Sequence, residues 1–111
     1  MKKGIEQNKS IIEGLDEAFN HKNRVGIMAI LVVNDWVEFN TLKQLLNLED
    51  GTLASHLKAF EKLAYIEYKK EFIGRKPRTS YRYTDRGKTA FNNHLNALEE
   101  LINSRKIYLD S

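Results

Sequence analysis

At Ala64 the hydrophobic period of this chain changes from helical to alternating, and the change limits what the chain can fold into. From Asp50 to Ala64 the apolar residues Leu53, Leu57, Phe60 and Ala64 recur at intervals of three and four, which places them on one face of a helix. The opposite face carries Thr52, Ser55, His56, Ala59 and Lys62, small or polar side chains with little bulk to keep another surface away. Directly afterwards Ile66, Tyr68 and, past Lys70, Phe72 alternate with Glu67, Lys69 and Glu71, as in a half-buried strand. Alternation resumes from Thr79 to Thr84, with Tyr81 and Tyr83 sharing a face, and Gly74-Arg75-Lys76-Pro77-Arg78 lies between as a loop. Two strands joined by a short glycine-containing loop make a β-hairpin. The only proline falls at its tip, where no ladder hydrogen bond is needed.

Upstream, Ile5, Ile12, Leu15 and Phe19 are spaced as in an amphipathic first helix, with Glu13, Asp16 and Glu17 left for solvent. Asn23 is placed to cap a second helix from Arg24 to about Val33, apolar almost all round and hence a core helix. Val37-Glu38-Phe39 is a short extended piece suited to the edge of a small sheet. Asn40 or Thr41 caps the next helix, the latter with Gln44 in capping-box spacing. There Leu42, Leu45 and Leu46 turn inward, and the helix ends near Asn47. The stretch from Asn40 to Ala64 therefore reads as two helices broken by a tight turn, a helix-turn-helix. Thr84-Asp85 starts a last helix to about Arg105, whose Ala90, Phe91, Leu95, Leu98, Leu101 and Ile102 form a stripe of nearly 3.5-residue period. That stripe is longer than one small core can cover, so burial against a second copy is inferred, with the first helix contributing.

The chain has 111 residues, enough for one core but not for two. Cysteine is absent, which excludes a disulfide framework and thiolate metal sites and fits a reducing compartment. The N-terminus lacks an apolar run of signal type, and Ile27 to Val33 is far shorter than the roughly 20 residues that span a bilayer. A cytoplasmic protein without a membrane role is expected. Between Glu67 and Lys88 eight bases face three acids, a local excess of +5 in a chain of net charge +3. The rest sums to −2, so the positive field belongs to the hairpin and the start of the last helix.

These elements, in the order helix, helix, short strand, helix, helix, hairpin, helix, follow the plan of a winged helix. Arg24-Val25-Gly26-Ile27-Met28, Phe39-x-x-Leu42 and Ser55-His56-Leu57-Lys58-x-Phe60-Glu61-Lys62-Leu63 before Tyr65-Ile66 resemble winged-helix transcriptional regulators of the ArsR/MarR type. The run Gly74-Arg75-Lys76-Pro77-Arg78-Thr79-x-Tyr81-x-Tyr83-Thr84-x-x-Gly87-Lys88-x-Ala90 is similar to the wing of one small branch of that group. The resemblance covers about residues 15–91. It implies an α+β, mostly helical fold of three core helices and a hairpin wing, flanked by N- and C-terminal dimerisation helices. It also implies a homodimeric, cytoplasmic regulator that binds double-stranded DNA. Members of the group often sense a metal or a small molecule; without cysteine the metal-sensing pattern is not met, and an unknown small-molecule effector stays open.

Residues 1–111 are thus expected to form one winged-helix domain, with the helix-turn-helix at about 40–64, the wing at about 65–84 and the last helix at about 85–105. On the recognition helix Thr52, Ser55 and His56 are candidates for base or phosphate contact, with Lys58 and Lys62 nearer the phosphates. That face has no Arg, Asn or Gln for bidentate base contacts, so modest direct readout supplemented by DNA shape is expected. On the wing Arg75, Lys76, Arg78 and Arg82 are candidates for phosphates or a narrow minor groove. The competing reading is a solvated cluster that blocks edge aggregation. Ile5, Ile12, Leu95, Leu98, Leu101 and Ile102 are the candidate dimer interface.

His21, His56 and His94 lack metal-ligand spacing and are expected to cap helices or lie on the surface. Ser55 and His56 are adjacent on a helix and cannot face each other as nucleophile and base. Gly74 and Gly87 form no phosphate cradle. No enzyme, catalytic residue, metal or cofactor is expected. The alternative from another class is a winged-helix module that binds a protein partner and no DNA.

Overall fold

Helices pack against a small antiparallel sheet in a computed structural model that describes the backbone of residues 11–110 and the side chains of residues 11–104. After a helical segment at residues 11–13 come a 3₁₀ turn (Glu17–Phe19), α1 (Lys22–Val32), β1 (Val37–Glu38), α2 (Phe39–Leu46), α3 (Asp50–Lys62), β2 (Ile66–Ile73), β3 (Lys76–Tyr83) and α4 (Asp85–Asp110). The core is built from Phe19, Ile27, Met28, Leu31, Leu42, Leu53, Leu57, Phe60, Ile66 and Phe91. Its aromatic centre is Phe19, whose ring lies 5.1 Å from Phe91, 5.7 Å from Phe60 and 5.8 Å from Tyr65.

The first helix was expected to run from Ile5 to Phe19. Its beginning lies outside the described residues, and its described part stops after residue 13. Gly14 weakens the helix there, and the Asp16 carboxylate accepts from the Ala18 N–H at 2.9 Å, a local bond that competes with helical continuation. The cap of α1 is His21 rather than Asn23: its Nδ1 accepts from the Asn23 N–H at 3.2 Å, filling the role usually taken by a short polar side chain.

Val37 and Glu38 pair with Tyr81 and Ser80 of β3, and α2 begins at once with Phe39. Asn40 and Thr41 therefore sit in its first turn and are not its caps; Glu38 is the cap residue, and its side chain makes no bond to the helix's N–H groups. Leu42 is fully buried and Leu46 partly so, whereas Leu45, expected inward, is exposed, because residues four apart share the inner face and the intervening leucine falls to the flank. The turn into α3 is set by Asn47, at φ 51°, a left-handed conformation that asparagine tolerates. The Leu48 N–H then reaches the Lys43 carbonyl at 3.1 Å, and Lys43 pairs with Asp50 at 2.7 Å across the turn.

Ala64, expected on the inner face of α3, lies beyond its end at φ 59° and is exposed. It reverses the chain so that the Tyr65 N–H bonds the Phe60 carbonyl at 3.0 Å. The sheet order is β1-β3-β2. β2 and β3 pair from Ile66 with Tyr83 out to Ile73 with Lys76, leaving Gly74 and Arg75 as a two-residue turn with Gly74 at φ 65°. Lys76, Pro77 and Arg78, expected in a loop, are strand residues. β1 reaches only Ser80 and Tyr81, so the outer edge of β3 needs no donor at Pro77.

Half-burial of the hairpin holds only at its base, where Ile66, Ser80 and Tyr81 are buried; Tyr68 and Phe72 are exposed because the distal half projects past the core. Thr84 starts α4, donating from Oγ1 to the Ala64 carbonyl at 2.6 Å and accepting there from the Gly87 N–H at 3.0 Å. The 26 residues of α4 extend it to Asp110, past the expected end near Arg105. At about 1.5 Å per residue it is roughly 39 Å long. With the wing it draws the molecule out to 64 × 24 × 22 Å.

Candidate nucleic-acid interface

The buried residues of α3 are Leu53, His56, Leu57 and Phe60, an i, i+3, i+4, i+7 set that fixes the helix on the core. Thr52, Ser55, Lys58 and Lys62 point outward and are exposed, joined by Gly51 and Ala54. His56 is the exception among the expected contact residues. Only 8% of its surface is exposed, and its Nδ1 accepts from the Arg24 Nε at 3.0 Å. Burial, followed by the charges of Arg24 and His21, pushes its pKa below the ordinary 6.5. A ring held inward by that bond anchors the helix and does not face a groove.

The wing's four expected cations divide into two kinds. Arg78 pairs with Glu38 at 2.9 Å. Arg82 pairs with Glu67 and lies over the Trp36 ring, 4.5 Å from its centre, as does the Lys69 ammonium. The Trp36 contacts fasten the hairpin to the turn between α1 and β1, Arg78 ties it to β1, and the Arg82 pair links its two strands. Arg75 and Lys76, at the tip, are exposed and make no salt bridge among the described residues.

Between α3 and the wing runs a cleft of about 670 Å³, lined by Asn40 from α2, Lys58 and Glu61 from α3, and Tyr68, Lys70 and Thr79 from the wing, among others. Asn40 and Lys70 were not among the candidates. For Lys70 the signal was there: in alternation it shares the side of Tyr68 and Phe72. Asn40 gave none, being assigned to a cap.

On the far side α4 turns Phe91, His94 and Ala97 into the molecule, while Leu95, Leu98 and Ile102 are exposed and Leu101 is half-buried. Ile12 is exposed as well, and Ile5 lies outside the described residues. His94, expected at a cap or on the surface, is buried because this face of α4 packs on the 3₁₀ turn: its ring is 5.2 Å from Phe19, and its Nδ1 accepts from the Asp16 N–H at 3.0 Å. The same Asp16 accepts from the Tyr65 hydroxyl at 2.6 Å, a bond that, with burial, raises the tyrosine pKa. One aspartate thus connects the end of α3 to α4.

Ser55 is exposed beside a buried His56 whose Nδ1 is already engaged, so the two cannot work as nucleophile and base. Among the described residues no three His, Cys, Asp or Glu side chains converge as metal ligands, and no helix is long and apolar enough to cross a membrane.

Residues 23–102 match the family described as winged helix DNA-binding domain. The chain belongs to that family. Membership places it among DNA-binding regulators and not among enzymes. An uncharacterized protein of Methanocaldococcus jannaschii is 40% identical over 83 residues, 75% of this chain and 90% of the relative. A transcriptional regulator homologue from Pyrococcus horikoshii is 28% identical with a TM-score of 0.76, covering 88% of this chain and 95% of the other. A MarR-family protein from Enterococcus faecalis shares the fold at 21% identity, with a TM-score of 0.65 and coverage of 92% and 87%. The winged-helix architecture expected of an ArsR/MarR-type regulator is therefore the one this family member has.

Proposed function

We propose that the chain is a homodimeric transcriptional regulator in which each α3 enters a major groove of double-stranded DNA while each wing tip meets the neighbouring backbone and minor groove. The observation that carries this reading is the cleft between α3 and the wing. Lys58 and Glu61 of α3 form one wall and Lys70 and Thr79 of the wing the other, so that two lysines flank the space where a phosphate strand would pass, and α3 also exposes the small residues Gly51, Thr52, Ala54 and Ser55. Thr52 and Ser55 stand nearest the base edges, and Ala54 suits a thymine methyl group. Lys58, Lys62, Arg75 and Lys76 neutralise phosphates. Arg78 and Arg82 serve mainly to set the wing's angle.

The dimer forms along Leu95, Leu98 and Ile102, spaced by three and four as in a coiled-coil seam, with Leu101 and Ile12 at its border. Residues 1–111 work as one winged-helix unit in the cytoplasm. An open groove of about 440 Å³, lined by Ile11, Gly14, Asn93, Asn96, Ala97 and Glu100, is where a small-molecule effector would meet α4. A ligand there acts on the spacing of the two α3 helices through α4.

Selection from a random duplex library at a stated salt concentration, with light scattering on the same protein, tests the reading. The expected result is a dimer that enriches a pseudo-palindrome with half-sites about one helical turn apart or a multiple of it. A monomer that enriches no duplex would overturn it in favour of a protein-interaction module.

A further inference from the structure

Phe72 stands near the end of the wing with 75% of its surface exposed, and Ile73 beside it with 51%. In the β2–β3 register Phe72 lies opposite Pro77 and Ile73 opposite Lys76. Phe72 and Pro77 therefore share the ribbon face of Lys70 and Thr79, the face that lines the cleft toward α3. Ile73 and Lys76 occupy the other face, and Arg75 closes the turn. The tip is an apolar wedge within a ring of cations, Lys70, Arg75 and Lys76.

A cluster that only protects a strand edge from aggregation has no use for a bare phenylalanine, and neither does a purely electrostatic phosphate contact. The combination matches a partner that is anionic at its rims and apolar within, as the minor groove of duplex DNA is between its phosphates and sugar walls. Side chains such as Phe, Ile and Pro enter that groove and part base steps. The reach is also right. From Tyr68, where the ribbon leaves the core, to Ile73 the strand extends roughly 17 Å at about 3.4 Å per residue, close to half of the roughly 34 Å helical turn of DNA.

We infer that Phe72, flanked by Ile73 and Pro77, is a minor-groove wedge that bends the duplex and reads its deformability, favouring flexible TA steps in A·T-rich DNA. This rests on the DNA-binding reading above, and supplies the specificity that the small side chains of α3 lack.

The test uses the full chain, an end-labelled A·T-rich duplex with TA steps, a G·C-only duplex of equal length and vesicles of phosphatidylserine and phosphatidylcholine. Affinity is measured over a salt series, bending by energy transfer between the duplex ends, and folding by thermal melts. Wild type should bend the A·T-rich duplex and prefer it. Phe72→Ala should lose about tenfold in affinity for it, by the worth of burying one phenyl ring, together with the bend, while keeping its salt slope and its melting temperature. Phe72→Leu should retain most of both. Arg75→Ala should do the reverse, flattening the slope by about one phosphate and keeping the A·T preference. Unchanged affinity and bend in Phe72→Ala would overturn the wedge while leaving DNA binding intact. So would vesicle binding that depends on Phe72 while duplex binding does not. A wild type that binds neither duplex at low salt would overturn the DNA reading itself.

Discussion

Arg24 donates from Nε to the Nδ1 of His56 at 3.0 Å, tying the first turn of α1 to the middle of α3. His21, which caps α1, lies with its ring centre 4.7 Å from that of His56. The helix that faces the cleft is thus positioned through a neutral imidazole set between a guanidinium and a second histidine. Protonated, the ring would lose its acceptor at Nδ1 and face Arg24 as a like charge.

This arrangement makes stability depend on pH. The folded-state pKa of His56 is below its ordinary 6.5, so near that value the unfolded chain binds more protons than the folded one. The stabilising contribution is complete above 6.5 and is lost as pH falls through the folded-state value. Urea midpoints should therefore decline as pH is lowered from about 7 to about 5, and His56→Asn, which keeps an acceptor near Nδ1, should remove that part of the decline. Identical pH profiles for the two proteins would refute the assignment.

Gly87→Ala should destabilise the fold although alanine is the better helix former. A Cβ at Gly87 would stand 2.0 Å from the Tyr65 carbonyl oxygen, a backbone atom that cannot step aside. The clash should outweigh a propensity gain of about 1 kcal/mol and leave a net loss of about 2 kcal/mol, read from chemical denaturation. An increase in stability would show that α4 and the turn before β2 part easily at this contact.

Glu38→Gln should tighten duplex binding. The carboxylate lines the cleft and holds Arg78 at 2.9 Å; removing its charge frees Arg78 for a phosphate and steepens the salt slope by about one. Because the pair is largely solvated, the melting midpoint should move by less than the equivalent of about 1 kcal/mol. Weaker DNA binding would mean that the pair is needed to aim the wing.

Much of the fold is legible because the period switches close to where the structure does: two helices, a hairpin and a terminal helix follow in the expected order, although Ala64 falls outside α3, Lys76 to Arg78 are strand and not loop, and the last helix runs past Arg105. The burial of His56 is hidden by the polar character of histidine, although Leu53, His56, Leu57 and Phe60 have the spacing of an inner face. Alternation told which side of β2 each residue takes, but not how far the core extends beneath it, so the exposure of Tyr68 and Phe72 was hidden. The division of labour among the wing cations was equally hidden, because it depends on Glu38, Glu67 and Trp36, which pairing and a turn bring to them from elsewhere.

Leu98→Glu tests the proposed dimer. Leu98 lies between Leu95 and Ile102 on the exposed face of α4, and a carboxylate there would have to be buried against its own copy in a dimer. Light scattering should show wild type as a dimer and the variant as a folded monomer with weaker duplex binding. A variant that stays dimeric would move the interface off this seam.

DNA binding through the cationic wing tip is tested most directly by the slope of log affinity against log salt for a duplex, compared between wild type and Arg75→Ala/Lys76→Ala. Wild type should show a steep decline and the double variant a slope flatter by about two, with weaker binding to every duplex tried. Equal slopes for the two proteins would contradict it.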